Sequence, residues 1–137
     1  MDLSTYLTFN GDCEAAMQFY AQCLGGKVTM VHRYAGSPMD NGQLPAEWKD
    51  KVMHATMESE GQRLMGSGGG PGYPFKGYAG FAVSVNARDK AQGERVFNAL
   101  AAGGQVQMPY QKTFWAEGFG MLIDKFGVSW MVNCEPG

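Results

Sequence analysis

Tyr6-Leu-Thr-Phe-Asn10, a helix-period stretch from Asp12 to Leu24 and then Gly25-Gly26 are answered later by Phe81-Ala-Val-Ser-Val-Asn86, a similar stretch from Arg88 to Ala102 and then Gly103-Gly104. Asn10 and Asn86 are 76 positions apart, and the two Gly-Gly pairs are 78 apart. A near-constant offset through strand, helix and glycine stop marks an internal duplication, which constrains the architecture more than any single residue. Strand-like segments follow each helix: Lys27–Tyr34, Val52–Ser59 and Gln62–Ser67 in the first half, and Gln105–Met108, Gly118–Asp124 and Val128–Asn133 in the second. Each half therefore reads βαβββ. The expectation is an α+β fold of two tandem modules, with two four-stranded sheets and a cleft between the copies. The expected organisation is a single domain over 1–137, with module 1 over about 1–67, a linker over about 68–78 and module 2 over about 79–137.

Within the first helix, Ala16, Phe19, Tyr20, Cys23 and Leu24 fall at i, i+3, i+4, i+7 and i+8, one apolar stripe at the 3.6-residue period. Asp12 suits the N-cap, Glu14 the positive end of the helix dipole, and Gly25 a left-handed stop. The second helix repeats the design with Gly93, Val96, Phe97, Leu100 and Ala101, an N-cap at Asn86 and an end at Gly103. Glu60-Gly61 and Lys125-Phe126-Gly127 have the chemistry of tight turns. Ala35–Lys51 reads as a long surface loop, and Gly66–Gly72 as the start of the linker.

At 137 residues the chain is long enough to bury a core, and 45% hydrophobic content excludes a disordered polar chain. Eleven basic against 13 acidic residues, net charge −2, give no general electrostatic reason to hold nucleic acid. No apolar run approaches a bilayer span, so no membrane partner is expected and a cytoplasmic location is. Cys13, Cys23 and Cys134 show no paired spacing, which argues against a disulfide scaffold or zinc knuckle. Ten methionines, with 8 Phe, 6 Tyr and 3 Trp, are the more unusual usage; such side chains fill irregular cores and line adaptable pockets.

Several residues invite functional readings. The glycine cluster at 66–72 lacks the Gly-Lys-Ser/Thr ending of a phosphate loop, and Pro71 and Pro74 prevent a prompt helix start, so no nucleotide site is supported. Cys13 sits in a first helical turn, where the dipole could favour a thiolate, but a structural thiol is the expectation. Of the two histidines, His32 needs only a structural or exposed role. His54 alternates with Met53, Ala55 and Met57 and shares a strand face with Thr56 and Glu58, a face that is either solvent or a cleft wall. The stretch Phe114-Trp115-Ala-Glu117-Gly-Phe119-Gly120 places glycines beside large aromatics, which suits a planar ligand, a core-filling loop or a dimer contact equally. Trp130 is expected to pack under a helix.

The duplicated pattern and the Phe19-Tyr20…Leu24-Gly25 helix ending resemble the vicinal oxygen chelate superfamily, which includes glyoxalase I and bleomycin-resistance proteins. Tyr6-Leu-Thr-Phe-Asn-Gly11, together with Phe114-Trp-Ala-Glu-Gly-Phe-Gly120 and Asp124-Lys-Phe-Gly-Val-Ser-Trp-Met-Val-Asn133, resembles its PhnB-like branch. Ser129 stands where members of that branch often carry proline. The resemblance covers essentially the whole chain and implies a glyoxalase/bleomycin-resistance/dioxygenase-type fold. Metal-using members place ligands at positions that count to Thr5, Met65, Gly80 and Met131 here. Glycine has no donor and thioethers prefer soft metals, so the standard metal site is expected to be absent. The branch is also labelled similar to a demethylubiquinone methyltransferase, but no glycine-rich turn opens a helix in this chain, and no cofactor is expected.

These observations lead to a protein that binds a small hydrophobic or aromatic molecule in a cleft walled by Leu7, Phe9, Met65 and Met131. His54 and the Phe114–Trp115 loop stand at its rim. The resemblance implies a homodimer. The rival is an enzyme on a small carbonyl, quinone or phosphonate-related compound, using His54 as general base or a non-standard metal site.

Overall fold

The computed structural model describes residues 1–70 and 75–136. Pro71, Gly72, Tyr73 and Pro74, in the expected linker, and Gly137 lie outside the described residues. Two compact units divide the chain, Met1–Lys76 and Gly77–Gly137. The first contains β1 (Thr5–Thr8), α1 (Cys13–Leu24), β2 (Lys27–Arg33), β3 (Val52–Ser59) and β4 (Gln62–Ser67), with a short 3-10 turn at Ala46–Trp48. Its sheet has the order β1-β4-β3-β2, with β1 parallel to β4 and the other pairs antiparallel. The second contains β5 (Val83–Asn86), α2 (Lys90–Ala101), β6 (Gln105–Gln111), β7 (Gly118–Ile123) and β8 (Ser129–Cys134), in the order β5-β8-β7-β6. Each unit is βαβββ, as the repeat implies.

The two Gly-Gly pairs do the same work in each unit. Gly25 and Gly103 adopt φ of 68° and 77°, the left-handed region that favours glycine. Gly26 and Gly104 allow close approach: a Cβ there would collide with the carbonyl oxygen of Glu58 or of Ile123. The Leu24 carbonyl, left open at the end of α1, accepts from Ser59 Oγ at 2.6 Å.

In α1 the buried residues are Cys13, Ala16, Met17, Tyr20, Ala21 and Cys23. The stripe is thus rotated from the expected one, leaving Phe19 and Leu24 half-buried. Met17 packs closely on the sheet: a Cβ on Gly66 would meet its methyl and the Phe9 ring. Asp12 occupies the N-cap position of α1, but its side chain makes no capping bond. The cap of α2 is Asp89 rather than Asn86, which belongs to β5: Asp89 Oδ1 accepts from Gln92 N at 2.7 Å. Gln92 Oε1 accepts in turn from Arg88 N at 2.8 Å, a near capping box.

The core of the second unit forms where α2 meets the alternate residues Leu122, Trp130 and Val132, all buried. Trp130, expected under a helix, donates from Nε1 to Asp124 Oδ2 at 2.8 Å. Asp124 Oδ1 also accepts from Phe126 N at 2.8 Å and Val128 N at 3.1 Å, so this buried carboxylate ties the β7–β8 turn to the core. Strand β6 continues past Met108 to Gln111, across Pro109. An edge strand tolerates proline because one side of its backbone has no partner. Tyr110 then reaches back over Gly118 and Gly93 to donate to the Lys90 carbonyl at 3.1 Å.

Candidate functional site

Strand register decides which residues share a face. In the first sheet Leu7 pairs with Gly66, Gly66 with Ala55, and Leu64 with Met57. This set packs against α1. The opposite, open face carries Tyr6 beside Met65, Met65 beside Thr56, Thr56 beside Met30, and His32 across from His54. Tyr6 and His54 are the pair that meets directly: the phenol oxygen is 3.1 Å from His54 Nδ1 and the ring centroids are 5.5 Å apart. On the other side, His54 Nε2 lies 3.3 Å from Thr56 Oγ1. Burial raises the Tyr6 phenol above its ordinary value, with Cys13 and Tyr34 adding to this and a Ser67 hydrogen bond opposing it. Which partner donates in each contact follows from the imidazole tautomer, since a hydroxyl can give or accept.

Three expectations are corrected by this register. Leu7 and Phe9 do not wall an open surface; at 2% and 1% exposure they lie in the core, with the Phe9 ring centroid 6.3 Å from that of Tyr20. Thr5 pairs with Leu64 and so faces away from Met65, while Tyr6 shares the Met65 face. Counting along the motif locates a residue but not its side, and one step along a strand reverses the side. Gly80 lies outside β5, and the residue beside Met131 is Ser84.

On the second sheet the open face carries Met131 between Ser84 and Met121, and Asn133 between Asn86 and Phe119. The loop from β6 to β7 folds over Thr113, whose Oγ1 accepts from Ala116 N at 3.1 Å. That turn leaves Phe114 98% and Trp115 46% exposed. The Phe114 and Trp115 rings meet edge-on at 4.8 Å, and Trp115 meets Phe119 at 5.4 Å. A groove of about 450 Å³ lies elsewhere on this unit, between α2 and β6, lined by Lys90, Phe97, Tyr110 and Lys112 among others.

His54 and Met65 are therefore neighbours on one face, and Met131 shares a face with the Phe119 ring on which Trp115 and Phe114 build. Tyr6 and Thr56 are the partners of His54 that sequence reasoning did not assign to it. Thr56 was visible in the alternation of β3; Tyr6 was not, because its face depends on a parallel pairing 59 residues away in sequence. Cys13 is buried and its thiol is pushed up to about 12, first by burial and then by Asp12 and Glu14, the reverse of an activated thiolate.

Beside Met65 stands Tyr6 and beside Met131 stands Ser84, and the thioethers of the two methionines prefer soft metals. Among the described residues, no group of three His, Cys, Asp or Glu gathers elsewhere. Nor, among the described residues, is any helix long and apolar enough to cross a membrane.

A family model described as 3-demethylubiquinone-9 3-methyltransferase matches residues 1–133. The protein YjdN of Escherichia coli K-12 is 34% identical over 97% of this chain and 95% of its own length. Among solved structures, protein PA1353 of Pseudomonas aeruginosa superposes with TM-score 0.89 at 48% identity, covering 98% of both chains. The PhnB protein of Bacillus cereus gives 0.79 at 28%, covering 98% of this chain and 99% of that one. The chain belongs to the PhnB-like family. Glyoxalase-related and glyoxalase/bleomycin resistance/dioxygenase structures, 14 to 18% identical with TM-scores of 0.60 to 0.62, share the fold. Gly68 and Gly69 are pressed against the Val52 and Phe9 carbonyls rather than opening a helix.

Proposed function

We propose that this PhnB-like protein binds a small hydrophobic or aromatic molecule without a metal at the superfamily's usual positions. The observation that carries the reading is His54, held at both ring nitrogens by the Tyr6 and Thr56 hydroxyls, on a sheet face it shares with Met65. That combination offers an adaptable thioether surface with a fixed polar group, the usual make-up of a ligand site. The first unit offers His54 and Met65; the second offers Met131, Phe114 and Trp115. Burial of apolar ligand surface, at roughly 25 cal/mol per Å², would supply most of the affinity. The proposal includes a cytoplasmic homodimer, which sedimentation velocity would remove by finding a monomer alone at micromolar concentration.

A thermal-shift screen of aromatic and quinone-type compounds tests the reading. A ligand at a hundredfold excess over its Kd adds about 2.7 kcal/mol, a shift of several degrees. The shift should shrink in His54→Ala and Met65→Ala. Silence from every compound of a broad library would overturn it.

A second reading, an enzyme acting on a small carbonyl, quinone or phosphonate-related compound, is favoured by the same bracket, through which a proton can pass between Tyr6 and the imidazole. Turnover abolished in both Tyr6→Phe and His54→Ala would establish it. Binding without turnover would leave the first reading in place.

A further inference from the structure

Among the described residues, the Asn133 side-chain oxygen is the buried acceptor that meets no donor. Buried carbonyl groups in folded proteins are almost always paired, so this one calls for a cause. Asn133 sits on the open face of the second sheet, across from Phe119 on one side and Asn86 on the other. The core is on the opposite face, where its neighbours Val132 and Cys134 are buried. Phe119 begins a run of edge-on rings, with Trp115 at 5.4 Å and Phe114 beyond it at 4.8 Å. In the adjacent row, Met121 and Met131 are paired and half-buried, unbranched side chains able to swing aside.

We propose that this face is a subsite for aromatic compounds that carry an O–H or N–H, with the donor pairing to Asn133 Oδ1 and the ring packing against Phe119 and Trp115. The inference rests on the small-molecule reading above and narrows its ligand class. A site with an unmet acceptor rejects an analogue that lacks the donor far more strongly than an apolar wall can. His54 in the first unit differs, because both of its nitrogens already have hydroxyl partners.

Calorimetric titration of the full chain with 2-naphthol and 2-methoxynaphthalene compares one ring system with and without a donor. The expected result is binding of 2-naphthol about tenfold or more tighter than its methyl ether. Asn133→Leu should bring the two within about twofold, and Trp115→Ala should weaken both while keeping their ratio. Should Asn133→Leu fail to fold, the Asn133 side-chain amide resonance of the unaltered protein must move with 2-naphthol and not with the ether. Equal affinities, a preference for the ether, or a ratio that survives Asn133→Leu overturn the inference and leave small-molecule binding standing. Failure of both probes overturns it too; only when the broad library is also silent does the underlying reading fall with it.

Discussion

The two sheets share a strand order and differ in what they show on their open faces. The first presents Tyr6, His54 and Thr56 in one chain of polar contacts, with the thioethers of Met65 and Met30 beside it. The second presents thioethers and rings, with Met108 beside Met121, Met121 beside Met131, and Phe119 under Trp115. On the helix-facing sides the units agree closely, down to a glycine pressed against a strand carbonyl after each helix. Packing against a helix restricts volume and shape at every position. An open face is free of that restriction, and so it is where duplicated units diverge in chemistry.

The largest test sets the two β-turns against each other. Asp124→Ala would strand the Phe126 and Val128 amides and the Trp130 indole, and should cost about 3 kcal/mol or more in urea denaturation. Glu60→Asn, in the corresponding turn of the first unit at φ 50°, should stay within about 0.5 kcal/mol. Comparable losses at the two sites would erase the contrast between them. Next come Gly26→Ala and Gly104→Ala, each expected to lose about 2–3 kcal/mol because backbone must move. Equal losses sharpen the equivalence of the two units; a twofold disparity breaks it.

Cys13 gives a smaller, pH-dependent effect. Its folded pKa lies above its ordinary value of 9.0, at about 12, so the native state holds the proton longer than the unfolded chain. Its contribution is complete below pH 9 and is lost as pH rises towards 12, by at most about 1.4 kcal/mol per pH unit. Denaturation at pH 7 and pH 10 should show a steeper loss in the unaltered protein than in Cys13→Ala. The smallest effect belongs to Phe114→Ser, expected within about 0.5 kcal/mol of unaltered stability because the ring is 98% exposed. A large loss there would mean that the loop is structural.

Much of the fold was legible because its signals are local. The 3.6-residue stripes gave both helices, and Gly25 and Gly103 gave their ends. The Asp89-x-x-Gln92 cap was written in the sequence and overlooked in favour of Asn86. The candidate site was less legible, because it depends on pairings between distant strands. Leu7 and Phe9 fell on the core face and Tyr6 on the open one through the register of β1 with β4, which no local pattern encodes. His54 could be singled out and Thr56 placed on its face, but the Tyr6 hydroxyl on its other side could not. The Asp124 hub was hidden for another reason: a carboxylate in turn chemistry reads as solvent-facing until its donors are seen.

Pro109 has a consequence for the chain in company. Every strand at the margin of a sheet is an invitation to a stranger's backbone. Strand β6 withdraws it, with a missing amide at Pro109 and two breaks in its register with β7. Strand β2, at one margin of the first unit's sheet with β1 at the other, has two such breaks but no proline, and it carries Met30 and Val31 exposed. Under conditions that loosen the fold, intermolecular β-pairing would therefore begin at β2 before β6.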